Sequence, residues 1–304
     1  MHPARTALPR RDGAPEPLPE PELSLLVRRA LEEDLGGELD VARDLTTAAC
    51  GGGSARASAQ LVAREAGCLA GLEVFLTAFR WLDPAATLEV RCADGDHFSA
   101  GDVLGVVSCE HAALLAGERT ALNFIQRLSG VATRTSRYVA GAAGKARVLD
   151  TRKTTPGLRL LERFAVRCGG GENHRFSLAD EVMIKDNHVD LSGLPLEEVV
   201  RAARASTPAE VRVTAEARDL AEARAAVAGG ADVVLLDNLS PEEMSKMLVE
   251  LRALAGDREV EFEASGGVTL ETIAEVAACG VDRVSVGGLT HSAPAVDLAL
   301  EVVR

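Results

Sequence analysis

The chain has 304 residues, 47% of them apolar, and a formal net charge of −13. That apolar content suffices for a buried core and excludes wholesale disorder, and the length allows about two domains or one large barrel. The acidic balance speaks against nucleic-acid and basic membrane-surface partners, and no apolar run approaches the roughly 18 residues that span a bilayer. No secretory h-region follows the first arginines. The six cysteines, at 50, 68, 92, 109, 168 and 279, form neither a CxxC pair nor a zinc-spaced cluster, so they read as free thiols of a reducing compartment. A soluble cytoplasmic protein is expected.

In chain order, residues 1–22 hold six of the twelve prolines and read as a flexible tail. Leu23, Val27, Ala30, Leu31 and Leu35 have helical spacing. Short apolar runs at Ala59–Ala63, Leu88–Val90 and Val103–Val107 predict strands, with a helix near 71–82. Residues 111–128 predict a helix carrying Arg119, Asn123 and Arg127 on one stripe, with Leu115, Leu122 and Ile125 packed away from it. Beyond about residue 140 strands and helices alternate, as in a parallel βα array. Candidate strands are Ala146–Asp150, Glu181–Lys185, Val211–Glu216, Asp232–Asp237, Val260–Ser265 and Arg283–Gly287.

Polar groups gather where these strands end: Asp150 to Lys153, Lys185, Glu216, Asp237, Ser265-Gly266-Gly267 and Gly287-Gly288. In a βα barrel those ends converge on one mouth, whereas an open doubly wound sheet binds at a single switch point. A barrel is therefore expected. Lysine and asparagine are scarce, with four of each, yet Asn123, Asn173, Asn187 and Asn238 all fall in compact polar motifs, as do Lys153 and Lys185. Residues 119–175 carry a local charge of +9 within this acidic chain, which points to an anionic ligand.

The chemistry of such a mouth follows from its residue types. Arg152, Arg175 and Lys185, beside His174, would repel one another by about 4 kcal/mol per close pair at an effective dielectric near 20. Only a ligand with several negative charges makes that grouping sensible, and guanidinium forks match carboxylate and phosphate. Glu216 and Asp237 suit sugar hydroxyls or Mg²⁺, or could simply pair with lysines across the mouth. The glycine pairs would offer backbone N–H groups to a phosphate. No P-loop and no strand-linked G-x-G-x-x-G is present. His188 and His291 read as loop-orienting residues, and Cys168 as a buried thiol.

Seven ordered motifs then resemble the quinolinate phosphoribosyltransferase family. They are Glu118-Arg119-Thr120-Ala121-Leu122-Asn123-Phe124 through Gly130, Asp150-Thr151-Arg152-Lys153-Thr154-Thr155-Pro156-Gly157, Gly169-Gly170-Gly171-Glu172-Asn173-His174-Arg175, Ile184-Lys185-Asp186-Asn187-His188, Leu235-Leu236-Asp237-Asn238, Ala264-Ser265-Gly266-Gly267-Val268 and Leu289-Thr290-His291-Ser292. The likeness runs from about residue 23 to the last. It implies an α/β fold: an N-terminal α/β sandwich domain over 23–120, to which residues from about 291 to 304 can return, and an incomplete parallel α/β barrel of about seven strands over 121–290.

The implied reaction joins quinolinate to 5-phosphoribosyl-1-diphosphate with loss of CO₂, giving nicotinate mononucleotide and diphosphate for NAD biosynthesis. The implied cofactor is Mg²⁺, with no organic cofactor, and the implied assembly a homodimer at least. Carried onto this chain, Arg152, His174, Arg175 and Lys185, with Thr151 beside them, would hold the quinolinate. Arg119 would reach in from the neighbouring subunit. Lys153 would face the diphosphate, while Glu216 and Asp237 would serve the ribose and a metal held mainly through diphosphate and water. Ser265, Gly266, Gly267, Gly287 and Gly288 would cradle the 5-phosphate. Thr214 stands where the family often has a second acid, Gly288 where alanine is usual, and Arg163 where lysine is common. A barrel aldolase with Lys153 or Lys185 as Schiff-base lysine, and a phosphoribosyltransferase-like relative with another acceptor or none, are the competing expectations.

Overall fold

The computed structural model describes Leu8, residues 16–50 and residues 55–303. Most of the expected tail lies outside the described residues. Helix α1 (Glu20–Asp34) begins inside the tail's last residues, because a proline is tolerated in a first turn whose N–H groups have no helical partner. It buries Leu23, Val27 and Leu31 at i, i+4 and i+8. Helix α2 (Leu45–Ala49) is capped by Asp44, which accepts from Thr46 and Thr47 N–H.

Strands β1 (Arg56–Ala63) and β2 (Gly67–Cys68) precede helix α3 (Leu72–Leu82). The α3 N-terminus is held from a distance: Asp94 Oδ1 accepts from the N–H of Gly71 and Leu72. Strands β3 (Thr87–Val90), β4 (His97–Phe98) and β5 (Val103–Glu110) then lead into helix α4 (His111–Ala142). At 32 residues α4 far outruns the expected 111–128. Gly130 looks like a stop signal, but a Cβ there would collide with the Pro294 carbonyl, so this glycine serves a backbone crossing within an unbroken helix. Leu122 and Ile125 are buried as expected, whereas Leu115 is exposed. The helix ends where Ala143 and Gly144 take positive φ.

The remaining elements are β6 (Arg147–Leu149), α5 (Arg159–Cys168), β7 (Val182–Ile184), α6 (Asp186–Ser192), α7 (Leu196–Ser206), β8 (Val213–Ala217), α8 (Leu220–Gly229), β9 (Val233–Asp237), α9 (Pro241–Ala255), β10 (Glu261–Ser265), α10 (Ile273–Ala278), β11 (Arg283–Ser285), α11 (Gly288–His291) and β12 (Leu298–Val302). The chain forms two compact units. The first takes residues up to Arg134, Thr155–Gly170 and the segment from Ala293; the second takes Thr135–Thr154 and Gly171–Ser292.

In the first unit an antiparallel sheet has the order β12-β1-β5-β3. The last strand thus pairs with the first, Leu61 opposite Leu300. Helix α5 belongs to this unit. Its Glu162, wholly buried, accepts from Arg127 Nη2 at 2.7 Å, Arg127 Nε at 3.1 Å, Thr155 N at 3.0 Å and Thr155 Oγ1 at 2.7 Å. The same arginine's Nη1 donates to the Ala293 carbonyl.

In the second unit six parallel strands run in the order β6-β11-β10-β9-β8-β7. A parallel bridge from Leu149 to Glu172 supplies a seventh, one-residue position beside β6. The barrel is incomplete, and its two open edges are that bridge and β7. Residues 173–181 link the two edges, so the Asn173-His174-Arg175 motif sits at the opening.

Candidate active site

In the second unit the strand ends enclose a cavity of about 580 Å³, within the size range of small-molecule sites. The loop after β6 contributes Thr151, Arg152 and Lys153, and the segment at the opening contributes His174 and Arg175. From β7 comes Met183, with Lys185 just past its end, and from β8 Glu216. Leu235 and Asp237 follow on β9 with Asn238 just past it, then Glu263 and Ser265 on β10 with Gly266 and Gly267 just past it, and Ser285 on β11. Eleven expected site residues therefore share one wall.

Gly287 and Gly288 lie just past β11 and are not in that lining. A Cβ on Gly287 would press on Lys153 Cδ at 2.9 Å, so this glycine is spaced for the Lys153 side chain. Arg119 lines a separate cavity of about 350 Å³ in the first unit, with Asn123, Arg127, Asp34 and Glu33. The predicted stripe on α4 is intact: Arg119 and Asn123 are exposed and Arg127 is half-buried.

The polar contacts set the cavity's charge. Lys185 Nζ pairs with Glu216 Oε2 at 2.5 Å, so this acid meets a lysine across the mouth. Asp237 accepts from Asn238 Nδ2 at 2.6 Å. Arg175 Nη1 donates to the Glu181 carbonyl at 2.8 Å. Burial first, and the Arg152 charge second, hold the Arg175 guanidinium below its ordinary pKa. Two guanidinium groups that repel each other in a half-buried site are poised for an anion.

The glycine turn after β10 is built for close approach. Gly266 and Gly267 have φ of 94° and 60°, and a Cβ on Gly266 would collide with the Asn238 side chain. Asn238 itself has φ 56° and donates its N–H to the Ser265 carbonyl at 2.9 Å. Asn238 thus ties the acid at the end of β9 to the turn at the end of β10.

Thr214, two residues before Glu216, is wholly buried and absent from the cavity lining. His188 Nδ1 accepts from Lys185 N–H at 2.9 Å, the orienting role expected of it. Cys168 is buried, and its thiol is pushed well above its ordinary pKa by burial first and Asp94 second. Both features fit a buried structural thiol.

Among the described residues no cluster of three or more His, Cys, Asp or Glu forms a metal cage. The available donors are Glu216 and Asp237, on adjacent strands and each engaged by a neighbour. That set fits Mg²⁺, which keeps waters and takes one or two carboxylates plus ligand phosphates.

Sequence reasoning missed Glu263, a wholly buried acid next to His174, and the apolar side chain of Met183 in the lining. A signal for Glu263 existed: Glu261, Glu263 and Ser265 alternate on one face of β10, an unusual polar pattern for a central strand.

Taken together, an incomplete α/β barrel whose mouth gathers cations, two acids and a glycine turn defines a binder of small polyanions. The chain belongs to the quinolinate phosphoribosyl transferase family: residues 44–129 match its N-terminal domain profile and residues 131–301 its C-terminal domain profile. It is 38% identical over 282 residues to a probable nicotinate-nucleotide pyrophosphorylase [carboxylating] of Bacillus subtilis, covering 92% of this chain and 93% of that one. A quinolinate phosphoribosyltransferase [decarboxylating] 1b of Nicotiana tabacum is 35% identical, covering 93% and 83%. The crystal structure of NadC from Streptococcus pyogenes superposes with a TM-score of 0.87 at 38% identity, covering 95% of this chain and 99% of that one. Among the described residues no helix is long and apolar enough to cross a membrane.

Proposed function

We propose that the protein transfers the phosphoribosyl group of 5-phosphoribosyl-1-diphosphate to quinolinate with decarboxylation, in NAD biosynthesis. One observation carries this reading: Arg152, Arg175, Lys153 and Lys185 share a cavity with two acids and a glycine turn. Arg152, Arg175 and Lys185, with His174 and Thr151 beside them, hold the two quinolinate carboxylates. Lys153 faces the diphosphate, Glu216 and Asp237 the ribose, and Ser265, Gly266, Gly267, Gly287 and Gly288 the 5-phosphate.

The quinolinate nitrogen forms a bond to ribose C1 as the C1–O bond to diphosphate breaks. Negative charge grows on the leaving group, where Lys153 stabilises it. Glu216 and Asp237 would also hold Mg²⁺, which would neutralise diphosphate charge. Loss of the 2-carboxylate as CO₂ leaves its electron pair on the ring, whose pyridinium nitrogen accepts it, and C2 then takes up a proton. No organic cofactor is needed. As the ligand's charge arrives, Lys185 exchanges its pairing with Glu216 for a carboxylate.

The working form is a cytoplasmic homodimer in which each Arg119 serves the partner's site. Leu115, Arg119 and Asn123, at i, i+4 and i+8, are all exposed on α4, which supports a face that a second copy covers. Six free cysteines suit a reducing compartment. The aldolase reading has no structural support, since Lys153 is exposed and Lys185 is ion-paired, while a Schiff-base lysine has to be desolvated.

The test is product formation from quinolinate, phosphoribosyl diphosphate and Mg²⁺, run beside nicotinate as acceptor. Nicotinate mononucleotide from quinolinate alone is expected. Turnover of nicotinate, or of neither acceptor, refutes the two-carboxylate site.

A further inference from the structure

From Glu263 in the cavity lining, a run of charged side chains continues along β10 and β11. Arg283 on β11 is 4% exposed and sits between two acids of β10, with its Nε 2.8 Å from Glu263 Oε2 and its Nη1 3.4 Å from Glu261 Oε2. Glu263 is wholly buried and faces His174, with Nε2 to Oε2 at 3.4 Å. Burial by itself raises the Glu263 carboxyl, but contacts with His174, Arg283 and Ser285 outweigh it and keep this group an anion.

The other ring nitrogen of His174 is also committed. Nδ1 accepts the backbone N–H of Arg175 at 2.8 Å. A nitrogen that accepts carries no proton, so the ring proton sits on Nε2, which lies 3.4 Å from Glu263 Oε2 without being aligned into a formed hydrogen bond. The backbone of the same segment is fastened by Asp150, which accepts from His174 N at 2.7 Å and from Asn173 Nδ2 at 2.7 Å. The segment at the barrel's opening is thus held at its backbone by one buried acid, and its imidazole lies against another.

We infer that Glu263 is a positioning residue: through a neutral, Nε2-protonated His174 it fixes the Arg175 backbone, and so aims the Arg175 guanidinium at the ligand. His174 then serves the site as a strut, and the positive charge of that arm comes from Arg175 alone. At 3.4 Å the His174–Glu263 approach is longer than a fully formed hydrogen bond, and catalytic hydrogen bonds commonly tighten only when substrate binds. The inference rests on the quinolinate reading for its kinetic consequences, but not for the state of the ring.

The experiment uses the full chain with nitrogen-labelled imidazoles, the His174 signal being assigned by its loss in His174→Gln. In the ligand-free wild type at neutral pH, two-bond proton–nitrogen spectra should show one neutral form with the proton on Nε2. A doubly protonated ring, or a proton on Nδ1, overturns the inference, and this readout needs no variant at position 263. Glu263→Gln removes the charge at nearly unchanged shape. It should replace the single His174 form by a mixture and raise the KM for quinolinate by about 10²-fold, the cost of misplacing a substrate-holding group by about an ångström. The KM for phosphoribosyl diphosphate should stay within a few-fold. A folded Glu263→Gln protein with the wild-type His174 signal and wild-type quinolinate KM also overturns it. If the wild type turns over no quinolinate, the functional reading fails while the ring assignment is still decided by the spectrum.

Discussion

The two cavities treat their arginines in opposite ways. In the first unit Arg127 is neutralised within the chain, gripped by the buried Glu162 carboxylate and by a carbonyl. In the second, Arg175 donates to a carbonyl while a second guanidinium, Arg152, pushes against it. A charge satisfied by its own protein stabilises the fold; one held against a like charge awaits a ligand. Stability and binding should therefore separate cleanly when arginine contacts are cut in each region.

The sharpest break comes from the first unit. Glu162→Ala leaves Arg127 and Thr155 without their shared acceptor, which should destabilise the protein by about 3–5 kcal/mol, the cost of removing one partner of a buried pair. Thermal or denaturant unfolding reads this directly, and an unfolding midpoint equal to wild type would refute the structural assignment. Arg175→Ala should do the reverse. It relieves the repulsion with Arg152, so the unfolding midpoint of the ligand-free protein should hold or rise. The kcat/KM for quinolinate should meanwhile fall by about 2–5 kcal/mol, the range for truncating one partner of a buried charged contact. A variant that loses stability but keeps its quinolinate kinetics would invert the comparison.

The same contrast shows what was legible in the sequence. Strand ends could be read from the apolar runs, because each run stops where a polar motif starts, and Lys185, Glu216, Asp237 and Ser265 all line the cavity as placed. Counting charges was less informative. The +9 between Arg119 and Arg175 is not one patch, since Arg127 is spent on Glu162 and Arg147 on Glu172 and Glu261. Local composition cannot show which arginine finds a carboxylate far away in the chain. Helix α4, which runs past the expected 111–128, shows the same limit: a glycine is locally unfavourable inside a helix, and only the Pro294 backbone, more than a hundred residues on, explains why residue 130 is one. Glu263 was overlooked because a buried acid needs its partners, Arg283 and His174, before it makes sense.

A smaller effect tests the backbone of the second cavity. Gly266→Ala forces a side chain into φ 94° against Asn238, a strain of about 1–3 kcal/mol. Because this turn is assigned to the 5-phosphate, the KM for phosphoribosyl diphosphate should rise more than that for quinolinate. An equal rise in both would mean that the turn supports the whole mouth and not one subsite.

The weakest expected effect concerns two thiols of the first unit. Cys109 on β5 is wholly buried, and its thiol is pushed up to about 12, by burial first and by Asp83 second. A group whose folded pKa lies above its unfolded value contributes stability that is complete below the unfolded pKa, about 8.5 for a thiol, and is lost as pH climbs towards the folded one. In that window the unfolded chain releases the proton and the folded chain keeps it. The unfolding midpoint should therefore be insensitive to this group at neutral pH and decline from about pH 8.5 upward. Cys109→Ala should flatten part of that alkaline decline while lowering stability at neutral pH through lost packing. Cys92, pushed up to about 12 mainly by burial, contributes in the same window, so the double variant should flatten the slope further. An alkaline slope unchanged in both variants would mean that these thiols ionise as readily folded as unfolded.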